Sequence, residues 1–100
     1  MSAIRAVLTD ERGTEIGSAL DLPSGFLPNT NDQVFFCLRY IDPYGDTIFN
    51  RLQIPLLLKD LVYLKERFTT DEQRKIMRHL EAFCQTCLDE PHVYLRFIGD

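Results

Sequence analysis

Cys84-Gln85-Thr86-Cys87 sets two thiols three positions apart, the spacing of dithiol redox pairs and of half a zinc site. A redox pair needs a stabilised thiolate, usually at a helix N-terminus, where the dipole lowers the thiol pKa. This pair falls near the C-terminal end of an amphipathic stretch and is followed by Asp89 and Glu90, so the dipole acts the other way. Zinc takes four ligands. His92 could join the two cysteines across a turn, but His79 lies toward the polar edge of the stretch and Cys37 is expected on the far face of a sheet. A fourth ligand is therefore missing. Both thiols also fall on the apolar stripe, where cysteine behaves as a small hydrophobe. The expectation is core packing, with no metal and no cofactor.

The inventory for acid–base or nucleophilic catalysis is thin. His79 flanks an amphipathic helix beside Lys75, and His92 opens a strand. Ser2, Ser18 and Ser24 carry no signature of an activated nucleophile. Asp71-Glu72 and Asp89-Glu90 sit at helix ends. The chain has no glycine-rich phosphate loop and no acidic metal-binding loop. No catalytic residue is assigned, and binding is favoured over catalysis.

Composition narrows the class. One hundred residues with an apolar fraction of 45% and a charged fraction of 26% suit one folded domain over residues 1–100. The net charge is −4, and the surplus is acidic in the N-terminal half, where seven acids face three bases. That balance argues against nucleic acid, whose binders show a basic surplus on one face. No long apolar segment follows Met1-Ser2-Ala3-Ile4-Arg5, so neither a leader nor a membrane span is expected. Three cysteines without a secretory context read as reduced thiols in a cytoplasm.

The elements that must position these residues follow from turns and periodicity. Asp10-Glu11-Arg12-Gly13-Thr14 and Asp42-Pro43-Tyr44-Gly45-Asp46 share one hairpin signature, a type I turn followed by a left-handed glycine. The first joins residues 4–9 to a second strand, with Leu8 opposite Ile16, Ala6 opposite Ser18 and Ile4 opposite Leu20. The second joins residues 34–41, rich in β-branched and aromatic types, to residues 47–54. That pairing puts Val34, Phe36, Leu38 and Tyr40 on the core face with Ile48, Asn50, Leu52 and Ile54. Between the hairpins, residues 21–33 form a long irregular loop in which Leu22, Phe26 and Leu27 are anchors. Pro55 suits a helix first turn, and Leu57, Leu61, Leu64 and Phe68 recur at helical spacing. Thr70 and Gln73 form a capping box for a second helix with the stripe Ile76, Met77, Leu80, Phe83, Cys84, Cys87 and Leu88. Pro91 ends it, and residues 92–98 alternate as a last strand. The fold class is α+β: an antiparallel sheet of about five strands in the order ββ-ββ-αα-β, with a two-helix hairpin packed on one face.

The second sheet face is the candidate for function. Phe35, Cys37, Arg39, Ile41, Phe49 and Arg51 share it in this register, and Tyr94, Arg96 and Ile98 join if the last strand docks alongside. Aromatic residues and Arg among aliphatics are what interfaces favour. The chain therefore reads as a small cytosolic module that binds a protein partner or a second copy of itself, in an inhibitor, immunity-like or assembly role. Its layout is similar to that of many small interaction proteins. The alternative is a small-molecule-binding or enzymatic domain. Its pocket would lie between sheet and helices or under the 21–33 loop, with Tyr40, Asn50 and His92 as its polar groups.

Overall fold

A computed structural model describes residues 4–29 and 31–99. Residues 1–3, 30 and 100 lie outside the described residues, and with them Ser2 and the ends of the expected 1–100 domain. The Asp10 turn forms as its sequence dictates. Gly13 has φ +83°, its N–H reaches the Asp10 carbonyl at 3.0 Å, and the Asp10 carboxylate accepts the N–H groups of Arg12 and Thr14 at 2.9 Å. This fixes β1 (Ile4–Thr9) against β2 (Glu15–Leu22), with Leu8 opposite Ile16. The register then slips. Ala6 faces Leu20 and Ile4 faces Leu22, so β2 spends four residues where β1 spends two. Gly17, at φ +72°, lies inside that bulge and supplies the backbone freedom it needs.

Among the described residues, four strands form the sheet, in the order β2-β1-β4-β3, and every neighbouring pair is antiparallel. β3 (Asp46–Phe49) is short and pairs with β4 (Tyr94–Ile98), which also pairs with β1. Helices α1 (Ile54–Lys65) and α2 (Asp71–Asp89) pack on one face. Ala6, Leu8, Phe49, Leu95 and Phe97 meet Leu57, Leu61, Leu64, Met77, Leu80, Cys84 and Cys87 there in one hydrophobic cluster. The capping box of Thr70 and Gln73 is present and starts α2. Phe26 pins the irregular loop to the core by packing on Phe68, with ring centroids 4.8 Å apart.

Two expectations are corrected. The sheet has four strands, not about five, because residues 34–41 form no strand: they turn and end in a single 3-10 turn, Leu38–Tyr40. Asp42-Pro43-Tyr44-Gly45-Asp46 is likewise not a hairpin connection, and Gly45 is not left-handed. β4 takes the place beside β3 that residues 34–41 were expected to fill. Most of the expected face assignments are consequently reversed: Phe35, Cys37, Ile41 and Phe49 are buried, while Val34, Phe36, Tyr40, Ile48 and Leu52 are exposed; Leu38 and Ile54 are buried as expected.

Candidate functional site

Residues 34–41 leave the sheet because their backbone is satisfied elsewhere. Asp60, in the middle of α1, is fully buried. Its Oδ1 accepts the Phe36 N–H at 2.9 Å, and its Oδ2 accepts those of Cys37 at 2.6 Å and Leu38 at 2.9 Å. These are the donors that open the 3-10 turn and that a strand would have offered to a neighbour. A carboxylate from a distant helix thus does what an N-cap side chain normally does locally.

The clasp sorts the segment into inward and outward residues. Phe35, Leu38 and Ile41 enter the core, and Phe36 and Tyr40 project outward with 61% and 66% of their surface exposed. The exposed side of α1 continues this surface. Leu56 and Tyr63 lie one turn to either side of Asp60, with Lys59 between them on the same stripe, and Leu52 stands just before the helix. Leu52, Leu56, Val62 and Tyr63 are all exposed. Asn50 positions this start: its Oδ1 accepts the N–H groups of Leu52 and Gln53, while Gln53 Oε1 accepts the Asn50 N–H. The Arg39 guanidinium lies 5.0 Å from the Tyr40 ring centroid, and its Nε is buried without a hydrogen-bond partner. Among the described residues, Arg39, Arg51 and Lys59 make no ion pair. The nearby acids are engaged, Asp60 by backbone and Asp32 by Arg67 at 2.6 Å, a hydrogen bond that holds the Asp32 carboxyl below its ordinary pKa. α2 differs: its outward positions are polar, including Glu72, Arg74, Lys75, Arg78, His79 and Gln85.

The residues expected to share one sheet face do not assemble there. Phe35, Ile41 and Phe49 are core residues, Arg39 is half-buried beside Tyr40, and Arg51 stands exposed before α1. Tyr94 and Arg96 do lie on the sheet face away from the helices, with Ile48 and Ile98. Arg96 is paired with Asp46 through Nε at 3.0 Å and through Nη2. A hollow of about 230 Å³ lies there, lined by Thr9, Ile48, Tyr94 and Arg96 and by the Asp10 turn. Tyr40, Asn50 and His92 do not form a pocket: Tyr40 faces solvent, Asn50 closes the turn ahead of α1, and His92 Nδ1 lies 3.4 Å from Glu11. A separate hollow of about 330 Å³ lies under the irregular loop, lined by Leu22, Pro23, Ser24, Leu27, Leu38 and Ile41 among others.

The three cysteines are free and buried. Desolvation pushes the Cys84 thiol up to about 12 and Cys87 to about 11, and raises Cys37, with a smaller contribution from Asp60. These are environments of inert packing thiols. Among the described residues, no three His, Cys, Asp or Glu side chains converge to hold a metal ion, and no helix is long and apolar enough to cross a membrane.

Comparison with protein-family models, with curated proteins and with solved structures finds no match to this chain.

Sequence reasoning missed Asp60, Phe36, Leu56 and Tyr63. One signal pointed to them. Of residues 54–64 only Lys59 and Asp60 are charged, so α1 is apolar on nearly every side. A helix of that kind expects cover all round.

Proposed function

We propose that this chain is a protein-interaction module, binding a protein partner through the outer side of α1 and the adjoining Phe36–Tyr40 segment, without catalysis of its own. One observation carries the reading. α1 is apolar on both sides, but only the side bearing Leu57, Leu61 and Leu64 is covered by the chain's own core. The opposite side keeps Leu52 at 85%, Leu56 at 44% and Tyr63 at 50% exposure, and the backbone of exposed Phe36 is fastened to Asp60 of the same helix. Contiguous exposed apolar and aromatic surface of this kind marks association. Three buried free thiols fit a reducing compartment such as the cytoplasm.

Site-specific photocrosslinking tests the reading. A benzophenone side chain in place of Tyr63 should capture a protein partner in the cell of origin, and one in place of His79, on the polar side of α2, should not. Equal capture at both positions, or capture at neither, would remove the proposal.

A second reading rests on the hollow under the loop. Among the described residues, none of those lining it has an ionisable side chain, which suits a small neutral ligand. Ligand-induced amide shifts confined to Leu22, Leu38 and Ile41 would favour it over partner binding.

A further inference from the structure

The exposed apolar side of α1 is not neutral. The chain carries a net charge of −4, yet Lys59 stands in the exposed stripe and Arg51 just before it, and Arg39 lies over the Tyr40 ring. None of them makes an ion pair among the described residues. Asp60 is committed to three backbone donors, and Asp32 is hydrogen-bonded to Arg67 and also feels the Arg39 charge, which leaves Lys59 and Arg51 without a carboxylate partner among the described residues. Glu66, at the C-cap of α1, is the acid that remains on this side.

Leu56, Lys59 and Tyr63 follow one another at helical spacing along α1, with Leu52 in the turn just before it, and a second helix laid along such a ridge finds a groove on each side of it. Resting on the reading above, we infer that the partner element seated here is an acidic amphipathic helix. Its apolar residues pack on Leu52, Leu56, Tyr63 and Phe36, and its flanking carboxylates meet Lys59 and Arg51.

Charge decides against the other occupants. A second copy of the chain would bring Lys59 and Arg51 toward their own copies, with Glu66 as their counterpart. Nucleic acid or an anionic membrane would meet three bases on a chain that is acidic in total, where polyanion binders use a dense basic cluster.

The test uses the intact chain and a fluorescent peptide of leucine, alanine and glutamate, with leucines at i, i+4, i+7 and i+11. A matched peptide carrying lysine for glutamate is the control. Fluorescence anisotropy should show the acidic peptide binding at least about tenfold more tightly than the basic one. Binding should weaken several-fold as ionic strength rises from roughly 0.05 to 0.3 M. Lys59→Glu should reverse the preference while leaving the circular dichroism spectrum and melting unchanged. Tyr63→Ala should abolish binding of both peptides.

Equal binding of the two peptides, lost in Tyr63→Ala, would keep this surface as a docking site and overturn its acidic specificity. Binding of neither peptide would overturn the inference. So would a dimer in light scattering that Leu56→Asp dissolves, although the docking reading would survive as self-association. Binding to phosphatidylglycerol vesicles that Leu56→Asp removes would overturn both.

Discussion

The Asp60 carboxylate holds the backbone of Cys37 across 23 residues of chain, with Oδ2 accepting the Cys37 N–H at 2.6 Å. The flanking N–H groups of Phe36 and Leu38 close on the same carboxylate at 2.9 Å. A segment that would otherwise read as a strand thereby becomes a turn, and alternate aromatic residues part ways, Phe35 into the core and Phe36 onto the surface.

Removing the clasp should therefore cost more than a surface acid would. Asp60→Ala leaves two buried N–H donors and one partly buried donor without their acceptor, at about 1–3 kcal/mol each. Urea unfolding should show a loss of roughly 3–5 kcal/mol, the range seen when one partner of a buried charged interaction is deleted. Asp60→Asn keeps one carbonyl acceptor and should fall between. A loss under about 1 kcal/mol in Asp60→Ala, the size of an ordinary surface change, would mean that the carboxylate does not organise this segment.

The docking surface makes the opposite prediction. Leu56 and Tyr63 are about half exposed, so Leu56→Ser and Tyr63→Ser should each change stability by less than about 1 kcal/mol. Leu57, next in sequence but fully buried, should cost roughly 2–5 kcal/mol as Leu57→Ala. Parallel denaturation of the three variants checks this. If Leu56→Ser proves as damaging as Leu57→Ala, then Leu56 is covered within the monomer and is not part of a free surface.

The same residues explain what the sequence revealed and what it hid. Local signals were legible: the Asp10–Gly13 turn, the Thr70–Gln73 capping box, the stripes of both helices and the alternation of residues 93–98 each depend on near neighbours. The fate of residues 34–41 depends on one acid far along the chain. In sequence Asp60 looks like any solvated helix charge, and Val-Phe-Phe-Cys-Leu-Arg-Tyr-Ile has strong β propensity, so the local preference pointed to a strand that the tertiary contact overrides. The candidate face inherited that error, and Phe35, Ile41 and Phe49 were placed outside when they are core. The bulge at Gly17 was hidden for a related reason: a hairpin turn fixes only the first pairs, and the slip occurs beyond them.

Two glycines should fail for different reasons. Gly13 has open space where a Cβ would stand, but its φ of +83° is costly for any other residue, so Gly13→Ala should lose about 1–2 kcal/mol. Gly99 lies outside the left-handed region, yet an added Cβ would run into the Pro43 carbonyl, while its N–H donates to the Gly45 carbonyl at 2.7 Å. Gly99→Ala must push β4 and the Asp42–Asp46 turn apart, at roughly 1–3 kcal/mol. Gly13→Asn separates the cases, because asparagine tolerates the left-handed region and should restore part of the Gly13 loss.

The buried thiols predict an alkaline limit to stability. Burial pushes the Cys84 thiol up to about 12 and the Cys87 thiol to about 11 in the folded chain, against an ordinary 9.0. The folded state keeps these protons where the unfolded chain has released them, so their contribution is fully present below pH 9 and is lost as pH rises from about 9 toward 11 and 12. Each thiol should steepen the decline by about 1.4 kcal/mol per pH unit within its window. Urea unfolding of the parent and of Cys84→Ala across pH 8 to 11 isolates the effect, since tyrosine ionisation is common to both and cancels in the difference of slopes. The variant, although less stable at pH 8, should show the shallower decline. Iodoacetamide at pH 8 should leave both thiols unmodified in the native chain and label them in urea. Equal slopes, together with rapid native labelling, would place Cys84 and Cys87 in contact with solvent and reopen the question of their chemistry.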